Sequence, residues 1–353
     1  MQEQYVKALC REIKETAGLV SGEPLRVRSL FLGGGTPSLL SPVQIDRILD
    51  CARDHFPFNK DAEISMEANP GTLTRDKLKG YHSSGINRLS LGLQSTEDRL
   101  LRTLGRIHSY RDFLDNYEAA RKAGFDNINI DMMSGIPNQK TEDYAGSLKK
   151  VLDLDPDHLS IYSLIVEEGT PLSENRDLLA RIPGEEEDRA MYHLTGKMLA
   201  EKDYRRYEIS NYARPGKECI HNLGYWSDVP YLGFGLGASS YQKTEEGAFR
   251  YSNLSSVEDY MREPCLPFDR RPGYEVLTEK DQLEEYMFLG LRKTEGISIE
   301  EFRDKFGKTV DQVYGKVIRK FIESGHLICE GGKLRLTEKG IDVSDYMFAD
   351  FML

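Results

Sequence analysis

Three consecutive glycines, Gly33, Gly34 and Gly35, followed by Thr36, end an apolar run at residues 27–32. A glycine has no Cβ, so the backbone of such a loop can approach a ligand closely. A helix start follows the loop, and N–H groups exposed near a helix N-terminus favour anionic or carboxylate ligands. The unit is therefore a candidate binding loop, although many such loops carry glycines only for the turn.

Polar residues follow the other predicted strands at the corresponding point. They are Glu67, Asn69, Gln94, Ser95, Asp131 and Ser163. Because the carboxyl ends of parallel strands meet at one edge of a sheet, we expect these residues and the glycine loop to lie close together. A single polar residue at a strand end is usually a cap or a turn partner. For a ring of such positions two interpretations remain open: the residues form a ligand site, or each of them is only a turn partner.

The elements that position these residues alternate in type. The sequence predicts strands at residues 27–32, 62–68, 87–93, 127–132, 158–164 and 206–210, with helices between them at 41–56, 74–85, 110–123, 141–154 and 184–202 and another at 1–17. Ser41 and Gln44 can form a capping box, and Gly124 is a typical helix stop. Alternating strands and helices predict an α/β fold with a parallel sheet and right-handed crossovers, open or closed into a barrel.

The alternation ends after Asn211, where a loop-rich stretch contains Cys219, His221 and the single tryptophan, Trp226. From about residue 278 the pattern predicts three helices and then a hairpin that turns at Gly331-Gly332, which is the order of a winged helix. Residues 281–353 carry eleven basic and fourteen acidic side chains, the wrong balance for phosphate contacts. A structural role is therefore favoured over DNA binding for this region.

The composition restricts the class of protein. The 353 residues have a net charge of −11 and a pI of about 5.3, so no overall basic field attracts nucleic acid. Neither a signal peptide nor an apolar run of membrane-spanning length is visible. The five cysteines are scattered, and none pairs with another at a metal-ligand spacing. We expect a cytoplasmic protein with one large and one small domain.

Six motifs in sequence order carry a resemblance to a known family. They are Gly33-Gly34-Gly35-Thr36-Pro37-Ser38, Glu67-Ala68-Asn69-Pro70-Gly71, Ser90-Leu91-Gly92-Leu93-Gln94-Ser95, Leu104-Gly105-Arg106-Ile107-His108, the run from Asn129 to Pro137, and His221-Asn222-Leu223-Gly224-Tyr225-Trp226. Together they resemble the radical S-adenosylmethionine (SAM) proteins related to oxygen-independent coproporphyrinogen dehydrogenase. Within that group the chain is most similar to the heme-chaperone branch.

The resemblance implies an α/β fold consisting of a partial TIM-like barrel over residues 1–210, a connecting region over 211–277 and a C-terminal winged-helix-like domain over 278–353. It also implies two sets of site residues. SAM would be held by Gly34, Gly35, Thr36, Glu67, Gln94, Arg106 and Asp131, and heme by His221, Asn222, Tyr225 and Trp226. An arginine can clamp a ligand carboxylate with two hydrogen bonds, and a histidine can ligate iron.

The family pattern has one part that this sequence lacks. Its radical chemistry uses a 4Fe-4S cluster held by a CxxxCxxC motif ahead of the glycine loop, where this chain has only Cys10. We expect either that the natural protein starts upstream of Met1 or that the chain is a cluster-free relative. A missing first strand would expose an unpaired sheet edge, which favours the upstream start. As given, the chain is expected to bind no cluster and to generate no radical.

The resemblance leaves two activities open. The first is a chaperone that binds heme and passes it to a recipient protein, with no nucleic-acid partner, no transmembrane segment and room for transient membrane association. The second is an enzyme that oxidatively decarboxylates the propionates of coproporphyrinogen III. The motif at residues 221–226 favours the chaperone. A winged-helix DNA-binding regulator is a third interpretation, which the acidic charge opposes.

Overall fold

The computed structural model describes residues 1–20, 25–245 and 247–353. Its largest sheet contains β1 Val27–Leu32, β2 Phe58–Ala68, β3 Arg88–Gln94, β4 Ile128–Ser134, β5 His158–Ser163, β6 Arg205–Arg206 and β7 Asn211–Ala213. The strand order is β1-β2-β3-β4-β5-β7-β6. Strands β1 to β5 are parallel, whereas β7 is antiparallel to both β5 and β6. The curled sheet is a half-barrel, which confirms the predicted α/β class.

The predicted sixth strand at residues 206–210 is wrong. The chain pairs only over β6, then turns and returns as the antiparallel strand β7. Glu208 explains the turn, because its buried carboxylate accepts hydrogen bonds from Ser210 N at 3.1 Å and from the Asn211 side chain. A carboxylate that folds back on its own backbone competes with continued strand pairing.

Helices cover the outer face of the half-barrel. The helices of this part of the chain are α1 Gln2–Leu19, α2 Pro42–His55, α3 Arg75–Ser83, α4 Asp98–Thr103, α5 Tyr110–Ala123, α6 Thr141–Leu152, α7 Arg176–Leu179, which has no buried residue, and α8 Glu185–Ala200. The predicted capping box at Ser41 and Gln44 is confirmed, and Gly124 ends α5 with φ 105°. The capping box satisfies N–H groups that the helix itself cannot bond, and the N–H of Gly124 donates to the carbonyl groups of Ala120 and Arg121 at the C-terminal end of α5.

The half-barrel buries both faces of its central strands, but the two faces differ in chemistry. On β3 the residues Leu89, Leu91 and Leu93 are fully buried in the apolar core with the helices. Arg88 and Ser90 alternate with them and face the barrel interior, where they are also buried. A strand has a side-chain period of two, so this alternation produces an apolar outer face and a polar interior.

The region after the barrel is more regular than predicted. The loop-rich stretch contains the helix α9 Ile220–Trp226, and a three-stranded antiparallel sheet follows with strands β8 Ser239–Thr244, β9 Gly247–Ser252 and β10 Glu275–Leu277. The helix α10 Val257–Arg262 lies between β9 and β10. The motif histidine therefore lies on a short helix rather than in a loop.

The C-terminal region has the predicted helices and hairpin. It contains α11 Glu279–Gly290, β11 Ile297–Ser298, α12 Ile299–Phe306, α13 Val310–Glu323, β12 Leu327–Glu330, β13 Lys333–Leu336, α14 Glu338–Ile341 and α15 Ser344–Ala349. The hairpin turns at Gly331 and Gly332, which both have positive φ. Phe302, Tyr314 and Phe321 are among the residues of its separate apolar core.

Among the described residues, no helix is both long enough and apolar enough to cross a membrane.

Candidate functional site

A cavity of about 240 Å³ opens at the carboxyl ends of the barrel strands. Six of the seven residues predicted for SAM line it, namely Gly35, Thr36, Glu67, Gln94, Arg106 and Asp131. The seventh, Gly34, lies beside it and donates its N–H to Glu67 Oε2 at 3.2 Å. Two other residues of the predicted ring do not line the cavity. Ser95 is buried and accepts from Glu97 N, and Ser163 donates to Asp188.

The glycine loop needs its glycines for different reasons. A Cβ on Gly33 would lie 2.5 Å from Phe31 Cε1 and 3.0 Å from Glu67 Cδ, so this position packs too closely for any side chain. Gly34 has φ 79°, a left-handed conformation that other residues rarely adopt. A Cβ on Gly35 would meet nothing within 4 Å, so its backbone is open towards the cavity.

The cavity holds two carboxyl groups whose protonation is perturbed. Burial raises the pKa of Glu67, nearby Asp131 raises it further, and the Gly34 N–H opposes both effects. Burial also raises the pKa of Asp131, against hydrogen bonds from Asn129 Nδ2 at 2.7 Å and Ser90 Oγ at 3.4 Å. A ligand that carries an ammonium group or hydroxyl donors would supply the partners that this acid pair lacks.

Two further side chains place polar groups at the cavity. Gln94 has φ 70°, and the pairing of β3 with β4 shifts register between Gly92 and Gln94. Such backbone strain is concentrated at functional sites. Among the described residues, Arg106 donates a single long hydrogen bond, to Asn69 Oδ1 at 3.4 Å, which leaves most of its guanidinium available for a ligand carboxylate.

A chain of buried hydrogen bonds leads from the cavity into the barrel. Asn129 donates to Asp131, and Asn129 Oδ1 lies 2.6 Å from His158 Nδ1. His158 Nε2 lies 2.8 Å from Tyr207 Oη, which accepts from Cys219 N at 3.3 Å. Burial, with the charge of Arg88 adding to it, lowers the pKa of His158 well below its usual value. The chain thus connects the cavity to the start of α9 through a neutral histidine.

His221, the second residue of α9, is held by an aromatic and a polar neighbour. Its ring stacks on Phe31 at a centroid distance of 4.8 Å and meets Tyr225 edge-on at the same distance. Its Nδ1 lies 3.3 Å from Ser29 Oγ. Burial lowers the pKa of His221, so the imidazole is neutral at neutral pH. In the tautomer that donates Nδ1–H to Ser29, the lone pair lies on Nε2, the atom that can then ligate a metal.

The other motif residues have different surroundings. Tyr225 also meets Tyr231 edge-on, at 4.6 Å. The guanidinium of Arg292, the second residue after α11, lies 4.6 Å from the Trp226 ring centroid, so the tryptophan packs against it. The Trp226 Nε1 atom is buried and has no hydrogen-bond partner among the described residues. Asn222, predicted with them, is half-buried in α9.

Several buried polar residues of the barrel interior were missed by the sequence analysis. They are Glu63, Arg88, His158 and Tyr207. A signal was present, since Glu63 and Ser65, or Arg88 and Ser90, place polar residues at alternate positions of apolar strands. In a parallel sheet covered on both faces such positions are usually apolar. Their polarity therefore indicates a polar interior.

Comparison with known proteins agrees with this geometry. Residues 2–151 match the model of the radical SAM superfamily, and residues 277–343 match that of the HemN C-terminal domain. The protein named heme chaperone HemW of Lactococcus lactis subsp. lactis is 36% identical over 99% of this chain and 89% of its own length. The HemW of Bacillus subtilis is also 36% identical, over 99% of this chain and 91% of its own length.

The fold has a solved counterpart. The coproporphyrinogen III oxidase HemN of Escherichia coli, described as a radical SAM enzyme, superposes with a TM-score of 0.83. The match covers 99% of this chain and 83% of that one, at 24% identity, and it shows that the two share a fold. The identity to the HemW proteins over nearly the whole length is what decides the family. The chain belongs to the HemW family, within the radical SAM superfamily.

Proposed function

We propose that this protein binds heme through α9, with Nε2 of His221 as an iron ligand, and passes the heme to a recipient protein. The observation that carries the proposal is the state of His221. Its ring is neutral, its Nδ1 is occupied by Ser29, and none of the described residues hydrogen-bonds its Nε2. The names of the HemW relatives support the same activity.

The surroundings of His221 suit a flat, apolar ligand. Phe31 and Tyr225 flank the imidazole and fix the plane of its ring. Aromatic side chains supply a large contact area and can stack on a macrocycle. The free cysteines are consistent with a reducing cytoplasm, where we place the protein and its recipient.

We further propose that the cavity binds SAM. Arg106 would take the methionine carboxylate, and Glu67 and Asp131 would accept from the ammonium or the ribose hydroxyls, with the glycine loop along the amino-acid end. SAM supplies a sulfonium group that can be reductively cleaved to a radical. The residues of this chain bind and orient it, and their perturbed carboxyl groups are suited to a positively charged ligand.

The residues present do not fit a 4Fe-4S cluster. Such a cluster needs thiolates grouped at one place. Cys10 of α1 and Cys51 of α2 lie next to each other where these two helices pack. Cys219, by contrast, is buried in the barrel interior. In the described ranges of the chain, no three histidine, cysteine or acidic side chains are grouped to hold a metal ion. No step through a cluster is derived for these residues.

A heme titration tests the proposed function. Hemin is added to the purified protein and to His221→Ala, and the absorption spectrum is recorded to saturation. We expect a saturable complex with the wild-type chain and at least a tenfold weaker one, with a shifted Soret band, for His221→Ala. The matched control is His193→Ala, because His193 is a mostly exposed histidine of α8 that lies beside Asp342 and Tyr192. Equal spectra and affinities for all three proteins would refute the ligand assignment.

A further inference from the structure

The start of α9 is hydrogen-bonded to the barrel interior, although the side chain of its first residue, Ile220, is 37% exposed. Cys219, the residue before the first turn, is fully buried and its side chain makes no capping hydrogen bond. The first N–H groups of any helix lack partners within the helix. The first N–H groups of α9 must therefore obtain acceptors from elsewhere in the protein or from water.

Glu63 of β2 supplies most of these acceptors. Its Oε2 accepts from Ile220 N at 2.9 Å, and its Oε1 accepts from His221 N at 3.3 Å and from Cys219 Sγ at 3.5 Å. Ser65 Oγ donates to the same Oε1 at 3.0 Å and fixes the carboxylate within its own strand. The side chain is only 5% exposed, so these contacts are made without competition from solvent.

The backbone N–H of Cys219, just before α9, is also bound by a residue of the barrel. Tyr207 Oη accepts from Cys219 N, and Tyr207 is in turn held by His158. The helix has only seven residues, too few to be stable by its own hydrogen bonds. Its position and the direction of its first turn are therefore set by Glu63 and, to a smaller extent, by Tyr207.

The histidine that we propose as an iron ligand belongs to this first turn. The N–H of His221 is one of the groups that Glu63 binds. Displacing that turn would separate the imidazole from Phe31, on which its ring stacks, and from Ser29, which contacts its Nδ1. A metal ligand that is misplaced by about 1 Å loses much of its affinity, because the supporting residues determine its geometry.

We propose that Glu63 is the positioning residue for His221: it anchors the start of α9 so that Nε2 of His221 is presented to heme iron. This inference rests on the proposed heme function, but it can fail while that function stands. Glu63 lies four residues before Glu67 on the same face of β2, so one strand serves both sites. The SAM cavity does not include Glu63, and SAM binding is expected to be independent of it.

The test compares Glu63→Gln with Glu12→Gln. Glu12 of α1 is the matched control because it is a similarly buried glutamate that also binds a backbone N–H, that of Gly235. Its other hydrogen-bond partners are Asn253, Tyr260 and Arg271, which do not belong to α9. Hemin is titrated into both variants, the wild-type chain and His221→Ala. We expect Glu63→Gln to raise the heme dissociation constant about tenfold and to shift the spectrum towards that of His221→Ala, with SAM affinity unchanged. Glu12→Gln should keep the wild-type spectrum.

The outcomes separate the two claims. If His221→Ala matches the wild type, the proposed heme ligand is wrong. If His221→Ala differs but Glu63→Gln keeps the wild-type spectrum and affinity, the positioning role is wrong. Hydrogen exchange of the wild-type chain gives a second measurement that needs no variant. We expect the amide hydrogens of Ile220 and His221 to exchange as slowly as those of the barrel strands, and rapid exchange would overturn the inference.

Discussion

The substitution Asp131→Asn tests the SAM cavity, because we expect it to weaken SAM binding without lowering the stability of the folded protein. Its carboxylate accepts from Asn129 at 2.7 Å and, over a long 3.4 Å, from Ser90, and Ser160 also donates to it. Burial penalises the charged form and raises the pKa of Asp131, so the folded protein favours the neutral carboxyl more than the unfolded chain does. Asp131→Asn keeps the shape of the side chain and one acceptor oxygen for Asn129, while it removes the charge.

The expected loss of SAM affinity in Asp131→Asn follows from the hydrogen bonds of the carboxylate. The contacts that Oδ1 and Oδ2 make with Ser90 are both long, so the carboxylate can accept a further hydrogen bond from a donor on the ligand. Loss of one charge-assisted hydrogen bond costs about 1.5–3 kcal/mol, which predicts a roughly 10- to 100-fold weaker SAM complex for Asp131→Asn. A carboxyl with a raised pKa contributes stability that is complete below its unfolded pKa and is lost as the pH rises. The thermal midpoint of Asp131→Asn should therefore equal or exceed that of the wild type at pH 7.

Equilibrium dialysis with radiolabelled SAM measures the affinity, and scanning calorimetry measures the midpoint. Glu12→Gln is again the control, because burial also raises the pKa of Glu12 but this side chain lies outside the cavity. Its SAM affinity should stay within about twofold of the wild type. An unchanged affinity for Asp131→Asn would refute the assignment. A lower midpoint would refute the argument that the buried charge is costly.

Three further changes test other parts of the site. Gly33→Ala places a Cβ against Phe31, so heme binding should weaken, whereas Gly146→Ala, which meets nothing within 4 Å, should leave the titration unchanged. Since the pKa of His158 is lowered, its stabilising effect is lost as the pH falls below about 6.5, and urea unfolding of His158→Gln should depend less on pH there. Asp228 accepts from Lys243 and Lys305, so Asp228→Asn should cost roughly 1–3 kcal/mol and speed limited proteolysis of the C-terminal region.

The elements that sequence patterns predicted well are those with local signals. The capping box at Ser41, the glycine that ends α5 and the hairpin turn at Gly331 are each determined by a few neighbouring residues, and all three are confirmed. The convergence of the glycine loop with Glu67 and Asp131 is confirmed too. It follows from strand direction alone, since parallel strands bring their carboxyl ends together.

The features that sequence patterns missed depend on contacts distant in the chain. The helix α9 is too short for periodicity to identify, and its start is stabilised by Glu63, which lies 157 residues before Ile220. Residues 206–210 have a strand-like composition, but the side chain of Glu208 turns the chain back. Local propensity carries no information about such acceptors, because they belong to other elements of the fold.

The most direct test of the central claim is rescue of His221→Ala by free imidazole. The substitution removes a ring that is stacked on Phe31, so free imidazole can occupy the same space beside the bound iron. Absorption and electron paramagnetic resonance spectra of the heme complex are recorded with and without imidazole. We expect the wild-type signature of a histidine-ligated heme to disappear in His221→Ala and to return with imidazole. A wild-type signature in His221→Ala without imidazole would contradict heme ligation by His221.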